Sequence, residues 1–222
     1  MRSVVAINHT ARSADQKALR RQAVLEAAET YFLEVGFETF SMAQLAKKAG
    51  LVKGTLYLYF KTREELFLTL YEQSLTRWAQ VFIGCLSSSM TSRCYAEYLY
   101  STAVSDGTFL PLLIRLEHVI EHNVSMTRLI QSKRVFMAQV EAITAPTSTA
   151  LTLSQEQAIE VVKTLGVLLI GATRSDQGPS LDHEALPQDV EGLIASFSSE
   201  PLFIKNAVRI IEGVRAEAIS NI

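Results

Sequence analysis

The 222-residue chain contains only two cysteines and five prolines. It also lacks the features of disulfide-rich and membrane proteins. Cys85 and Cys94 are too few for a disulfide framework, and their spacing fits neither a C-x-x-C motif nor a zinc ribbon. The most apolar stretch, residues 161–172, contains Lys163 and is shorter than the roughly 20 residues of a membrane helix. The start of the chain has only four consecutive apolar residues, fewer than a signal-peptide core. We therefore expect a cytoplasmic protein without a membrane span.

Acidic residues are scarce in the first part of the chain. Residues 1–63 carry ten Lys or Arg and five Asp or Glu, so this part has a net charge of +5, whereas residues 64–222 have −7. Residues 39–63 contain five Lys or Arg and no acidic residue. A solvated basic surface would show the same composition, but a basic head on an acidic body favours contact with a polyanion.

The sequence lacks the alternating apolar and polar residues that are typical of β-strands. Its apolar residues instead recur at the three- and four-residue steps of helices. The capping-box pattern S/T-x-x-E/Q occurs four times directly before such a run, and each occurrence predicts a helix start. The four starts are Ser13, Ser41, Thr62 and Ser154. Gly36 and Gly50 are placed to end the first two helices. Loops are predicted at residues 146–149 and 175–187. This pattern predicts an all-α fold.

Residues 41–60 have the spacing of a helix-turn-helix. Small residues at Ala46 and Ala49 allow a second helix to cross closely, Gly50 permits a sharp turn, and Leu51 or Val52 fills the gap. A second short helix then places Leu56 and Phe60 toward the core. Its side chains with hydroxyl groups point away from the core and lie next to positively charged residues. A recognition helix in the major groove requires this combination of hydrogen-bonding groups and cations.

The segment SMAQLAKKAGLVKGTLYLYFKTREELF, residues 41–67, resembles the DNA-binding domain of the TetR/AcrR family of bacterial transcriptional regulators. The resemblance is strong over residues 14–70, and beyond residue 70 only the number and lengths of the helices fit. It implies about nine helices, a homodimer bound to double-stranded operator DNA, and most often a repressor released by a small molecule. The implied layout is a flexible basic arm (1–12), a helix-turn-helix domain (13–61) and a helical ligand-binding and dimerisation domain (62–222).

The resemblance also implies the residues that meet DNA. Ser41 and Gln44 would lie at the start of the positioning helix, close to a phosphate, and Lys61 would contact phosphate with help from Arg63. The recognition helix would contribute Lys53, Gly54, Thr55, Tyr57 and Tyr59. The alternatives are that Tyr59 packs partly in the core and that Leu58 either packs or contacts a thymine methyl.

The acidic body has the composition of a ligand-binding domain. Aromatic and polar residues on its helices could line a pocket for a small, mostly apolar effector. The candidates are Trp78, Phe82, Tyr98, Phe109, Glu117, His118 and Phe136.

Two apolar stripes on late helices predict a dimer interface in the form of a four-helix bundle, unless both stripes face their own core. The first comprises Leu165, Leu168, Leu169 and Ala172, and the second comprises Phe203, Ala207, Ile210, Ile211 and Val214.

Two rival functions remain. The sequence H-x-x-E-H at residues 118–122 matches an inverted zinc-protease motif, so His118 and His122 could bind zinc, but a third ligand is not evident. Cys85 and Cys94 could form a redox switch on the same DNA-binding head. We expect no catalytic site, cofactor or metal, and we expect a regulator rather than an enzyme.

Overall fold

The computed structural model describes the backbone of residues 3–174 and 187–220, and the side chains of residues 15–117, 119–174 and 187–217. The described residues form ten α-helices and no strand, which confirms the all-α prediction. The helices are α1 (Ser3–Thr39), α2 (Met42–Lys48), α3 (Lys53–Tyr57), α4 (Arg63–Cys85), α5 (Ser92–Ser105), α6 (Phe109–Arg115), α7 (Met126–Leu151), α8 (Gln155–Arg174), α9 (Gln188–Ser196) and α10 (Ser199–Ser220). In the part of the chain that is described, no helix is long and apolar enough to span a membrane.

The first helix begins earlier than predicted. Residues 3–12, expected to form a flexible arm, are helical and continuous with α1, so Ser13 lies inside the helix and does not cap it. Gly36 has a φ of 72° and a ψ of −178°, a combination that is essentially restricted to glycine. The chain therefore kinks at Gly36, and α1 continues for one more turn to Thr39.

The core of the head is aromatic. Phe32, Phe37 and Phe40 surround Phe67 of α4 with ring centroids 4.8–5.8 Å away. Because α4 contributes Phe67 to the head and continues into the body, it joins the two as one rigid helix. The boundary predicted between residues 61 and 62 thus falls at the start of this helix, and it stays a prediction.

In the body, α4 to α8 and α10 pack around apolar side chains that are continuous with the core of the head. Helix α4 packs on α5, α6 and α7, and α10 packs on α5 and α8. The side-chain amide (Nε2) of Gln157, near the start of α8, donates to the backbone carbonyl of Val214, near the end of α10, at 2.9 Å. Helices α8 and α10 are therefore antiparallel neighbours.

One segment of the body is irregular, and the two loops predicted there differ from the structure or fall outside it. Helix α6 is followed by a π-helical turn, Leu116–Ile120, and a 3₁₀ turn, Glu121–Asn123. The loop predicted at residues 146–149 is wrong, because α7 continues through Pro146 and buries Thr147, Ala150 and Leu151 on its inner side. The predicted loop at residues 175–187 lies almost wholly outside the described residues.

Candidate nucleic-acid interface and ligand cavity

The turn between α2 and α3 is closed by a complete Schellman motif. The amide of Leu51 donates to the carbonyl of Ala46 at 2.8 Å, and the amide of Gly50 donates to the carbonyl of Lys47 at 3.2 Å. Gly50 has a φ of 66°, so the predicted need for a glycine at this turn is confirmed. Leu51 packs against the core and fills the gap that the sequence had assigned to Leu51 or Val52.

Helix α3 is held by one side and presents the other to solvent. Leu56 and Phe60 are fully buried, as predicted, together with Leu45 and Ala46 of α2. Arg21 of α1 lies over the ring of Phe60 with its guanidinium carbon 4.7 Å from the centroid. The recognition element is thereby anchored to α1 as well as to α2.

The predicted DNA-binding residues differ in exposure. Tyr57 is 38% exposed. Tyr59 packs partly against the core, which was the alternative prediction for this residue. The other exposed members are Gln44, Lys53, Gly54 and Lys61, and the other half-buried ones are Ser41, Thr55 and Arg63. The structure brings all nine to the two helices, the turn and the start of α4. Their contacts with DNA remain predictions.

Two cations of the basic segment also serve the fold. The ammonium of Lys48 is 2.6 Å from the carboxylate of Glu34. Arg63 pairs with Glu64 at 3.2 Å and lies 5.2 Å from the ring of Phe37. Lys53 and Lys61 are exposed, and the ammonium of Lys53 lies 5.9 Å from the centroid of the Tyr57 ring.

The start of α4 is capped as the sequence predicted. The hydroxyl of Thr62 accepts a hydrogen bond from the amide of Glu65 at 3.0 Å, and the carboxylate of Glu65 accepts one from the amide of Lys61 at 2.9 Å. A full capping box also forms between Ser154 and Gln157. Ser41 is the N-cap of α2, so the predicted helix start is confirmed, although the Ser41 side chain makes no capping hydrogen bond.

Sequence reasoning missed one exposed residue at the interface. Val52 and Leu58 flank α3 and are each 76% exposed, so Leu58 does not pack. Both residues are apolar, and apolar residues in a helical pattern predict burial; only the geometry of the turn shows that Leu51, and not Val52, faces the core.

The body contains a cavity of about 400 Å³ between α4, α6, α7 and α8. Four of the predicted ligand residues line it, namely Trp78, Phe109, Glu117 and Phe136. Phe82 and Tyr98 are not part of its wall: Phe82 is fully buried behind Trp78, and Tyr98 is 43% exposed on α5. The side chain of His118 lies outside the described residues.

The wall of this cavity is aromatic and carries few polar groups. The Trp78 and Phe109 rings stack with centroids 4.7 Å apart, and the Tyr71 and Phe109 rings are nearly parallel with centroids 6.4 Å apart. The polar lining consists of Glu117, Gln139 and Lys163. A mostly apolar molecule with a few polar atoms fits such a surface.

Tyr71 has an unusual environment. It is 1% exposed, and its hydroxyl has no hydrogen-bond partner among the described residues. Burial, then the charges of Glu121 and Glu72, raise the pKa of the Tyr71 phenol above its ordinary value, so the group stays protonated. Tyr71 also borders a second cavity of about 180 Å³.

A polar network connects the cavity wall to the head. Arg128 of α7 holds both carboxylate oxygens of Glu72 at 2.6 Å and donates to the hydroxyl of Thr69 at 3.1 Å. Arg21 of α1 reaches the same hydroxyl at 3.4 Å. Burial, then the charge of Arg128, lower the pKa of Arg21. Two guanidinium groups thus meet on α4, next to Tyr71.

Further ion pairs tie the body to α1. Arg77 of α4 contacts Glu29 at 2.7 Å and Asp106 at 2.9 Å, and Arg115 of α6 contacts Glu38 at 3.3 Å. These ion pairs therefore link α4 and α6 to α1 at the protein surface.

The predicted dimer stripes lie in the core of the subunit. Seven of the nine side chains are buried against neighbouring helices, and Leu168 and Ile210 are partly buried. The seven are Leu165, Leu169, Ala172, Phe203, Ala207, Ile211 and Val214. The apolar periodicity of α8 and α10 reflects their packing on each other and on the body, so these residues do not form the exposed stripes that were expected.

The residues behind the two rival functions lie in the turns after α6 and on α4 and α5. His122 is exposed, and Glu121 of the zinc motif pairs with Lys133 at 2.6 Å. Among the described side chains, no group of three potential ligands could hold a metal. Cys85 and Cys94 are both free thiols, on α4 and α5.

Models of known families match nearly the whole described chain. Residues 24–70 match the bacterial regulatory proteins of the tetR family, and residues 71–218 match the tetracyclin repressor-like C-terminal domain. The transcriptional regulator YfiR of Bacillus subtilis is 38% identical over 61 residues, which cover 28% of this chain and 30% of that protein. The transcriptional repressor AcnR of Corynebacterium diphtheriae is 34% identical over 64 residues, 29% of this chain and 34% of that protein.

The aligned stretch therefore spans about a third of the length of these curated relatives. A solved structure of a TetR-family regulator from Streptomyces coelicolor has the same fold, with a TM-score of 0.57, 16% identity, and coverage of 88% of this chain and 98% of that chain. The second family model alone matches more than half of the chain. The chain belongs to the TetR family of bacterial regulatory proteins, and it is a DNA-binding transcriptional regulator and not an enzyme.

Proposed function

We propose that this regulator is a homodimeric repressor that acts in the cytoplasm and is released from operator DNA by a small, mostly apolar ligand. The observation that carries the proposal is the aromatic cavity of about 400 Å³ in the body. The word repressor is supported by the relative AcnR, which bears that name.

The cavity and the head share α4, which suggests how a ligand would act. Tyr71 and Trp78 border the cavity, and Thr69 and Glu72 on the same helix hold Arg128 and, through Thr69, Arg21 of α1. A ligand that prefers a shifted position of α4 would draw the chain toward a conformation in which the two heads no longer fit successive major grooves. Release follows from this difference in affinity, since a ligand that binds both conformations equally shifts nothing.

The test begins with a thermal-shift screen of small aromatic and aliphatic compounds. A compound that stabilises the protein is then titrated calorimetrically into the free protein and into its complex with a DNA duplex selected from a random library. We expect operator DNA to weaken ligand binding by the factor by which the ligand weakens DNA binding, typically about 5–150-fold. Equal ligand affinity in both titrations would contradict release by that compound.

A cavity-filling variant provides the control. Gly166 lines the cavity, and an added Cβ there meets no atom within 4 Å, so we expect the side chain of Gly166→Leu to occupy part of the cavity. We expect this variant to bind the operator normally and to lose the response to the ligand. Gly84→Leu makes the same change on α4 outside the cavity and should keep the response.

Dimerisation would use the outer sides of α8 and α10, because their inner sides are occupied. Gly171 and Gly213 are exposed, and an added Cβ at either meets no atom of the subunit within 4 Å. A glycine inside a helix costs about 0.5–1 kcal/mol relative to alanine, and the subunit itself gains nothing from these two. Close approach of a second subunit explains them, and Val167, one turn from Gly171, is 72% exposed.

Sedimentation of a Gly171→Arg/Gly213→Arg variant tests this surface. We expect the variant to be a folded monomer, with unchanged circular dichroism, at concentrations where the unmodified chain is a dimer. An unmodified chain that sediments as a monomer at micromolar concentration would refute the homodimer, and a dimeric variant would refute this interface.

A further inference from the structure

The most exposed large apolar side chains of the described residues flank one helix. Val52 and Leu58 are each 76% exposed, more than any other large apolar side chain in the described ranges, and they stand at the two ends of α3. The surrounding segment, residues 39–63, has no acidic residue. Single exposed apolar side chains are common on protein surfaces, so exposure alone does not assign a role to either.

Val52 also occupies a position where valine is unfavourable. It is the N-cap of α3, and only its backbone carbonyl accepts hydrogen bonds, from the amides of Thr55 and Leu56 at 2.9 and 3.4 Å. Serine, threonine, aspartate or asparagine at an N-cap adds a side-chain acceptor and stabilises the helix.

Other helices of this chain do have such caps. Thr62, Thr91 and Ser125 each accept a hydrogen bond from the amide three residues later, at 3.0, 3.2 and 3.3 Å. At α3 the chain thus lacks the stabilising hydroxyl and exposes an aliphatic group in its place. A local rule broken without a structural gain is typical of a functional position.

We infer that Val52 contacts the methyl group of a thymine in the major groove and so helps to determine which operator sequence is bound. The inference rests on the DNA-binding function. The C5-methyl of thymine is the apolar group that a base pair presents in the major groove, and it is the natural partner of an exposed aliphatic side chain there. Lys53, the next residue, is exposed and supplies charge complementary to DNA.

The contact is expected to be worth about one buried methyl group, which corresponds to about a fourfold change in affinity. This is smaller than the effect of a bidentate hydrogen bond to a base, but it acts at a single base position. The contact can be recognised because it makes the DNA affinity depend on the methyl group of one thymine and on no other atom of that base.

The experiment removes that methyl from the DNA and the aliphatic group from the protein. Binding sites are first selected from a random duplex library with the full-length chain. Each thymine of the selected duplex is then replaced singly by deoxyuridine, and fluorescence anisotropy measures the dissociation constants of the unmodified protein and of Val52→Ser, Val52→Ala and Val81→Ser. Val81 is an exposed valine on α4, outside the basic segment, and serves as the matched control.

We expect one deoxyuridine position per half-site to weaken binding of the unmodified protein and of Val81→Ser by about fourfold. The same replacement should leave the affinity of Val52→Ser unchanged, and it should weaken Val52→Ala, which keeps one methyl group, by less than it weakens the unmodified protein. Val52→Ser should also raise the melting temperature by about 2–4 °C, because it restores a capping hydroxyl, so its lost discrimination cannot come from unfolding.

Two results would overturn the inference. One is a protein whose binding is insensitive to every thymine methyl, and the other is sensitivity that persists in both Val52 variants. Failure to enrich any sequence from the library would instead refute sequence-specific DNA binding itself, so the two failures are distinguishable.

Discussion

Two buried tyrosines allow a test of what a missing hydrogen bond costs in this protein. Tyr71 and Tyr95 are each 1% exposed, and both lie in the body. The hydroxyl of Tyr95 is 2.8 Å from the hydroxyl of Thr147, whereas that of Tyr71 has no partner among the described residues. Replacement of either by phenylalanine removes one oxygen and leaves the ring in place.

The two substitutions should change stability in opposite directions. Tyr95→Phe deletes a hydrogen bond and leaves the buried Thr147 hydroxyl unpaired, so it should lower the free energy of unfolding by about 1–3 kcal/mol. Tyr71→Phe removes a buried polar group that is not hydrogen-bonded, so it should raise the free energy of unfolding by about 1–2 kcal/mol. The difference between the two variants is then about 2–5 kcal/mol.

Urea unfolding followed by circular dichroism, at one fixed protein concentration, measures both changes. A chain of this length should shift its melting temperature by about 2–4 °C for each kcal/mol, so a thermal scan gives an independent check. Tyr98→Phe, at a 43% exposed tyrosine, is the control and should lie within about 0.5 kcal/mol of the unmodified protein. Equal destabilisation by Tyr71→Phe and Tyr95→Phe would refute the reasoning, because it would mean that the Tyr71 hydroxyl is hydrogen-bonded.

Three further predictions concern the head and the response to pH. Lys61→Ala should weaken binding to all DNA sequences alike and reduce the dependence of the binding constant on salt concentration. Lys53→Ala should also alter the sequence preference in a library selection. Equal effects of both variants on every sequence would contradict the assignment of Lys61 to phosphate and of Lys53 to the recognition helix. Gly36→Ala should lower the free energy of unfolding by about 1–3 kcal/mol in urea titrations, because alanine is strained at the φ of 72° although its Cβ would meet no atom within 4 Å. Burial raises the pKa of Tyr71 and Tyr95 above 10.0, so the folded chain retains protons that the unfolded chain releases. Stability should therefore fall as the pH rises above about 10, and the fall should be smaller in Tyr71→Phe.

The sequence by itself determined the all-α class and the DNA-binding head. These features depend on local chemistry: the apolar periodicity, the positive φ required at Gly50, and the burial of Leu56 and Phe60 one turn apart. The capping bonds at Thr62 and Ser154 were predictable for the same reason, since a capping box involves residues only three apart.

The tertiary structure decided which apolar faces meet which neighbours. The stripes on α8 and α10 have the periodicity of either an interface or a core. Only the packing of the two helices against each other, of α8 against α7 and of α10 against α5 assigns them to the core. The continuation of α7 through Pro146 likewise depends on the burial of its last turns, which outweighs the local preference of proline.

The same holds at the recognition helix. Leu51 and Val52 are adjacent aliphatic residues, and no periodicity distinguishes them; the turn at Gly50 rotates Leu51 into the core and leaves Val52 in solvent. That the Tyr71 hydroxyl has no hydrogen-bond partner among the described residues is invisible in the sequence, because it depends on residues from α4, α6 and α7 that come together only in the folded chain. Local rules thus specify the helices and their ends, while long-range packing decides which side chains remain available for DNA and ligand.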